Sequence, residues 1–166
     1  MAILEIRKDE DPILRKKSKK IKVFDDKLQR LAEDMIETMH EANGVGLAAV
    51  QTGRLKQIIT LDLYDETGPK VFVNPEIFDP EGEELAYEAC LSVTDITAPV
   101  PRPISLRLKA QDLEGNPIEL EAKDLLARIL CHEVDHLKGI LFTDKAVDES
   151  LMEDQDESLV EDKEEV

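Results

Sequence analysis

The chain has 166 residues, enough for one compact domain with a sizeable core and too few for two ordinary ones. Its formal charge of −17 repels nucleic-acid phosphates and anionic headgroups, and no apolar run reaches the roughly 18 to 20 residues of a membrane span, so neither direct nucleic-acid binding nor a membrane partner is expected. Two cysteines, Cys90 and Cys131, cannot build a disulfide framework, and the start MAILEIRKDEDPIL lacks the apolar core and cleavage site of a secretion signal, so a cytoplasmic protein is expected.

The basic cluster Arg15 to Lys22 has no interleaved aromatics and reads as a solvated turn region. Residues 25–40 give the clearest helix: Leu28, Leu31, Met35 and Met39 recur at spacings of three and four, Ala32 and Ile36 widen the stripe, and Asp25 can cap the first turn. Asn43 and Gly44 end it, and His40 reads as a partner for the dipole at its C-terminus. IITLDL at 58–63 alternates as a strand, and VFVNP at 71–75 gives a second, short one. Pro75 and Pro80 with Gly82 predict turns around another candidate short strand, and the prolines Pro99, Pro101 and Pro103 make 91–103 an ordered loop or edge segment. Ile104, Leu106 and Leu108 form a strand that Gly115 and Asn116 turn back through Ile118 and Leu120. A second helix runs from about Asp124 to Leu137, with Leu125, Ile129 and Leu130 facing one way and Gly139 stopping it.

The order of elements lacks strand and crossover-helix alternation and predicts an α+β domain of mostly antiparallel sheets packed around a central helix that carries H-E-x-x-H. The domain is expected to span 1–147 and an acidic, flexible tail 148–166, with a short helix around Leu151 and Met152 as the alternative for the tail. Residues 145–166 hold ten acidic residues against two lysines, a local net of −8 that leaves −9 on the rest.

Chemistry concentrates in three segments. His132-Glu133-Val134-Asp135-His136 places two imidazoles one turn apart on the same helix face, so both reach one metal ion while Glu133 stands ready to take a proton from a water that the ion activates. Two histidines leave a ligand to find, and Cys90 in Glu88-Ala89-Cys90-Leu91-Ser92 is the candidate, with ordinary core packing as its competing explanation. Cys131 projects about 100 degrees from His132 and reads as buried packing. Gly44-Val45-Gly46-Leu47-Ala48-Ala49-Val50-Gln51 superficially matches a dinucleotide fingerprint, but it follows a helix and precedes a strand, the reverse of that motif's context. Its glycines let backbone pass close to a ligand, and Gln51 offers an amide to a developing oxyanion.

GVGLAAVQ at 44–51, EACLS at 88–92 and CHEVDHLKGILF at 131–142, in that order, resemble the peptide deformylase family over most of the first 145 residues. The resemblance implies removal of the N-formyl group from formyl-methionyl polypeptides. Cys90, His132 and His136 would hold a divalent ion, Fe²⁺ as the native one with Zn²⁺, Ni²⁺ or Co²⁺ as alternatives. Glu133 would be base and then acid, and Gln51 with the backbone N–H of Leu91 would stabilise the oxyanion. Substrate backbone would pass near Val45, Gly46 and Ala89, with Gly44 in a supporting place. The methionine side chain would sit among Val45, Ala86, Leu125, Arg128, Ile129 and His132, with the Arg128 stem on the wall and its guanidinium in water. Glu88 and Arg102 would be a supporting ion pair.

The sequence departs from the family at Ala89 in place of the usual glycine, Thr94 in place of proline, a 95–101 loop without glycine, and Cys131 in place of glutamine. Another N-acyl or small amide substrate, or a non-catalytic metal-bearing binding domain, are the alternative readings. The expected partners are the formyl-methionyl peptide and a ribosome approached transiently, and a monomer is expected rather than an oligomer.

Overall fold

The computed structural model describes residues 2–153 as an α+β fold built on antiparallel sheets. The first helix, α1 (Asp26–Glu41), starts where the Asp25 carboxylate accepts the Leu28 N–H at 3.0 Å, and it buries Leu28, Leu31, Ala32, Met35 and Met39. Asn43, with φ of 56°, ends it, and Gly44 N–H closes onto Met39 O at 2.9 Å. His40 does not serve the helix terminus alone: its Nε2–H donates to Asp62 Oδ2 at 2.7 Å, because the return of the chain brings that carboxylate alongside.

Five strands follow in the order β1-β2-β3-β6-β7, every neighbouring pair antiparallel. They are β1 (Gly46–Ala48), β2 (Ile58–Leu61), β3 (Lys70–Glu81), β6 (Ser105–Gln111) and β7 (Pro117–Lys123). The second strand stops at Leu61 rather than 63, since the Asp62 carboxylate turns back to accept the Tyr64 N–H at 2.7 Å. All four of its residues are buried: Ile58 packs in the α1 cluster, while Ile59 and Leu61 pack against the second helix.

The turns predicted at Pro75 and Pro80 are absent; one long strand, β3, runs through both. Each proline sits at a register shift against β6, preceded by a residue of positive φ, Asn74 at 51° and Asp79 at 49°. A bulge accommodates an extra residue and a missing donor without ending the strand, which is why local composition misread it.

The hairpin around Gly115 is present, its turn held by the Asp112 carboxylate accepting the Glu114 and Asn116 N–H groups at 2.9 Å. The proline-bearing segment also proves to be a strand. Strands β4 (Glu84–Cys90) and β5 (Val93–Arg102) form a separate two-stranded sheet in which both strands are edges, so Pro99 and Pro101 cost it little. Between Glu88 and Cys90 the register slips, and Thr94 to Thr97 are left as an exposed excursion opposite Ala89.

The second helix, α2 (Asp124–Leu137), is buried from Ile129 to Leu137, and Gly139, with φ of 77°, ends it. Leu125 does not join that buried face; it is 57% exposed. The main core joins α2 to the sheet through residues such as Val50, Ile59, Leu61, Phe72, Leu106 and Leu108. Cys131 lies in this core as a free thiol, and burial pushes its pKa up.

The segment from Arg15 to Lys22 is more than a solvated turn. Arg15 pairs with Asp144, Ser18 N–H donates to Leu137 O, and the Asn74 amide grips both backbone groups of Ile21. These bonds strap the amino-terminal part of the chain across α2 and β3. At the other end residues 150–153, Leu151 and Met152 among them, form a helical turn, while the rest of the acidic tail lies outside the described residues. Among the described residues no helix is long and apolar enough to cross a membrane.

Candidate active site

Helix α2 and the end of β4 bring three donor atoms together. His132 Nε2 and His136 Nε2, one turn apart, approach to 3.3 Å, and Cys90 Sγ lies 3.3 Å from His136 Nε2; one ligand atom from each falls within 4.8 Å of the others. His136 is fully buried. One thiolate and two imidazoles converging in this way suit a borderline or soft divalent cation. Without a cation their lone pairs would oppose one another. Burial alone would lower the His132 pKa, but hydrogen bonds to Cys90 and Glu88 raise it to about 10, whereas burial and the His132 charge push His136 down.

Glu88 organises the outer side of His132. Its Oε1 accepts His132 Nδ1–H and Arg102 Nη2–H, both at 2.9 Å, so the His132 Nε2 lone pair faces the cluster. Its Oε2 accepts Arg102 Nε–H at 2.9 Å and Arg128 Nη1–H at 2.6 Å. Arg102 reaches further, donating to Asp135 Oδ2 at 2.7 Å. Burial works to raise the Glu88 pKa, but Arg102 and His132 prevail and hold it at about 2. Glu88→Ala would leave Arg102 with Asp135 as its one carboxylate and Arg128 with none among the described residues. It is expected to lower the unfolding free energy by about 3–5 kcal/mol in urea titrations at neutral pH; a loss below about 1 kcal/mol would mean the two arginines find water or other partners. Since the carboxyl titrates near 2 in the fold against an ordinary 4.5, its stabilisation is complete above about pH 4.5 and is lost as pH falls toward 2.

The catalytic candidates flank the cluster. Glu133 is 3% exposed, its Oε1 has no hydrogen-bond partner, and burial, opposed by the charge of His132, pushes its pKa up to about 7. Gln51 Oε1 accepts Ala48 N–H at 2.9 Å, and its Nε2 lies 3.6 Å from Cys90 Sγ. A cavity of about 350 Å³ opens beside them, lined by Gly44, Val45, Gly46, Gln51, Ala89, Leu91, Leu125, Ile129, His132 and Glu133 among others. That volume and its mixed lining suit a small side chain and the backbone that carries it.

A family model described as Polypeptide deformylase matches residues 3–151. The chain belongs to that family. It is 51% identical to a peptide deformylase of Dictyoglomus turgidum over 153 residues, 92% of this chain and 99% of that one. It is 53% identical to the Dictyoglomus thermophilum enzyme over 149 residues, 90% of this chain and 96% of that one. Among solved structures, the Thermotoga maritima peptide deformylase superposes with a TM-score of 0.86 at 37% identity, covering 89% of this chain and all of that one. A Met-Ala-Ser-bound class I type b peptide deformylase from Acinetobacter baumannii superposes at 0.82 with 33% identity, covering 87% and 98%. The activity is therefore metal-dependent hydrolysis of the deformylase type, and the Cys90, His132 and His136 cluster is a divalent-metal site.

The structure rearranges two members of the expected methionine pocket. Ala86, paired with Val100 in the β4–β5 sheet, is not among the residues lining the cavity. Arg128 does line the cavity, but its guanidinium does not reach out to water; it is drawn inward to Glu88 Oε2, to Val100 O at 2.8 Å and to Glu84 O at 2.7 Å. Sequence reading missed Tyr87 and Asn43 in the lining, the Phe142 ring stacked 5.9 Å from the His132 ring, and Ser92 beneath Gln51. An aromatic next to Glu88 on an edge strand and a hydroxyl two residues past Cys90 were the available signals.

Gly46 explains one constraint at the start of β1. A Cβ there would stand 2.5 Å from Glu133 Oε2, so a side chain at 46 must displace the carboxylate. Gly46→Ala is expected to lower kcat/KM for a formylated tripeptide by about 10-fold through misplacement of Glu133; an unchanged value would show that the carboxylate has room to yield.

Proposed function

We propose that this cleft removes the formyl group from formyl-methionyl ends of new polypeptides, with Fe²⁺ as the native ion. The observation that supports it most is a buried, unpaired carboxylate, Glu133, beside a Cys90, His132 and His136 cluster at the side of a peptide-sized cavity. A divalent ion bound there supplies Lewis acidity toward water and toward the formyl carbonyl. The helix α2, with its H-E-x-x-H segment, is the central element of this reading, and residues 1–147 are the catalytic domain.

In the proposed reaction Glu133 takes a proton from the attacking water and returns it to the amide nitrogen as the C–N bond breaks, releasing formate and a free amino terminus. Gln51 Nε2–H and Leu91 N–H donate to the carbonyl oxygen as it gains charge. Substrate backbone runs past Val45, Gly46 and Ala89 with Gly44 supporting them, and the methionine side chain enters among Val45, Leu125 and Ile129, which line the cavity. Glu88 and Arg102 hold His132 in place from behind. A cytoplasmic monomer that meets its substrate near the ribosome fits this reading.

One observation favours a second reading. The Ala89 methyl stands in the exposed lining where substrate backbone is placed, so a shifted N-acyl preference is the competitor. The deciding experiment compares formate release from formyl-Met-Ala-Ser with acetate release from acetyl-Met-Ala-Ser by anaerobically prepared, Fe²⁺-loaded protein. Preference for the formyl peptide by about 100-fold or more in kcat/KM, or about 3 kcal/mol in the barrier, is expected. Equal or reversed rates would replace the formyl assignment with the shifted one.

A further inference from the structure

Ser92 is wholly buried at the turn between β4 and β5, and the steps above give its side chain no part. Its hydroxyl nevertheless accepts Gln51 Nε2–H at 3.0 Å, while the Gln51 Oε1 accepts Ala48 N–H at 2.9 Å from the opposite side. The amide is thereby held at both ends. Held at its oxygen alone, it could swing about its last torsion and carry the Nε2 donor away from the reacting carbonyl. Sulfur is a weak acceptor, so the 3.6 Å approach of Nε2 to Cys90 Sγ is a poor substitute for the hydroxyl.

We propose that Ser92 is a positioning residue for the hydrolysis, its hydroxyl fixing the Gln51 amide so that Nε2–H is aimed at the oxygen that gains charge. The inference rests on the oxyanion role of Gln51 given above. An oxyanion donor works only within a few tenths of an ångström of its ideal distance, and a flexible glutamine reaches that precision through a second anchor.

Other bonds hold Ser92 itself and do not involve its hydroxyl. Its N–H donates to Cys90 Sγ at 3.4 Å, and its carbonyl accepts Asp9 N–H at 2.6 Å. The Asp9 carboxylate in turn accepts the Thr94 N–H at 3.0 Å. Removing the hydroxyl therefore leaves the backbone, Cys90 and the metal ligands where they are, and the loss falls on Gln51.

The test is a double-mutant cycle of wild type, Ser92→Ala, Gln51→Ala and the double variant. Each is loaded with Fe²⁺ and assayed on formyl-Met-Ala-Ser for kcat, KM and metal content. Ser92→Ala is expected to lower kcat about 10-fold, as misplacement of a working group does, with KM and metal content unchanged. In the Gln51→Ala background the same substitution is expected to change kcat by less than about twofold. A general loss of folding would reduce kcat equally in both backgrounds, and that outcome, reduced metal content, or full kcat in Ser92→Ala overturns the assignment. Full kcat in Gln51→Ala would instead remove Gln51 from the oxyanion role, a failure visible apart from that of Ser92.

Discussion

Cys90→Ala is expected to leave the protein folded but stripped of its metal, and with it of nearly all activity at equal metal supply. Two imidazoles at i and i+4 chelate weakly by themselves, and the thiolate supplies both the third bond and the negative charge that offsets the cation. The sulfur is held in place for that bond: Ser92 N–H donates to it at 3.4 Å, and Gln51 Nε2 and His136 Nε2 lie at 3.6 and 3.3 Å. Losing an outer hydrogen-bond partner of a ligand costs metal affinity about 10–100-fold, so losing the ligand itself is expected to cost at least about 100-fold. Competition with a chelator of known affinity measures this directly. Unchanged affinity would take Cys90 out of the ligand set and return it to the core-packing role. The fold should withstand the change, because Cys90 is only partly buried at the edge of a small apolar cluster with Val93, Val100 and Phe142.

The elements legible in the sequence were those whose signal is local. The stripe of α1 and its Asp25 cap, the Gly115 hairpin and the bounds of α2 follow from spacing and turn chemistry within a few residues. The pairing of His132 with His136 was legible for the same reason, since helical pitch alone puts them on one face. What failed depended on partners distant in the chain. Pro75 and Pro80 look like stops until the bulges opposite β6 are seen, and Pro99 and Pro101 look like loop until β4 lies beside them. Arg128 was expected in water, yet Glu88, forty residues away, draws it in, and nothing near 128 announces that. The residues facing Gln51 were illegible in the same way: Ser92 meets it only because the hairpin turn folds back beneath η2 (Ala49–Thr52), a short 3₁₀ turn. Cys90 stood between these cases, ambiguous from its neighbours and placed as a ligand by the family resemblance, and the structure brings its sulfur to the two histidines.

Glu133→Ala is expected to keep its metal and lose at least about 100-fold in kcat, the range for removing a positioned acid and base. The two halves of that expectation come from different observations. Glu133 is not among the three residues whose donor atoms converge, so the ion should stay. Its carboxylate is nonetheless buried with one oxygen unpaired, a costly arrangement that persists where a group is kept for proton transfer. Burial holds its pKa near 7 in the absence of a cation, and a cation close by lowers it toward the ordinary 4.5. In the wild-type protein kcat/KM should therefore fall as pH drops through a value between 4.5 and 7, where the base becomes protonated. The residual rate of the variant should lack that limb. A variant that keeps wild-type turnover, or one that loses activity only in proportion to lost metal, would assign the proton transfer to another group.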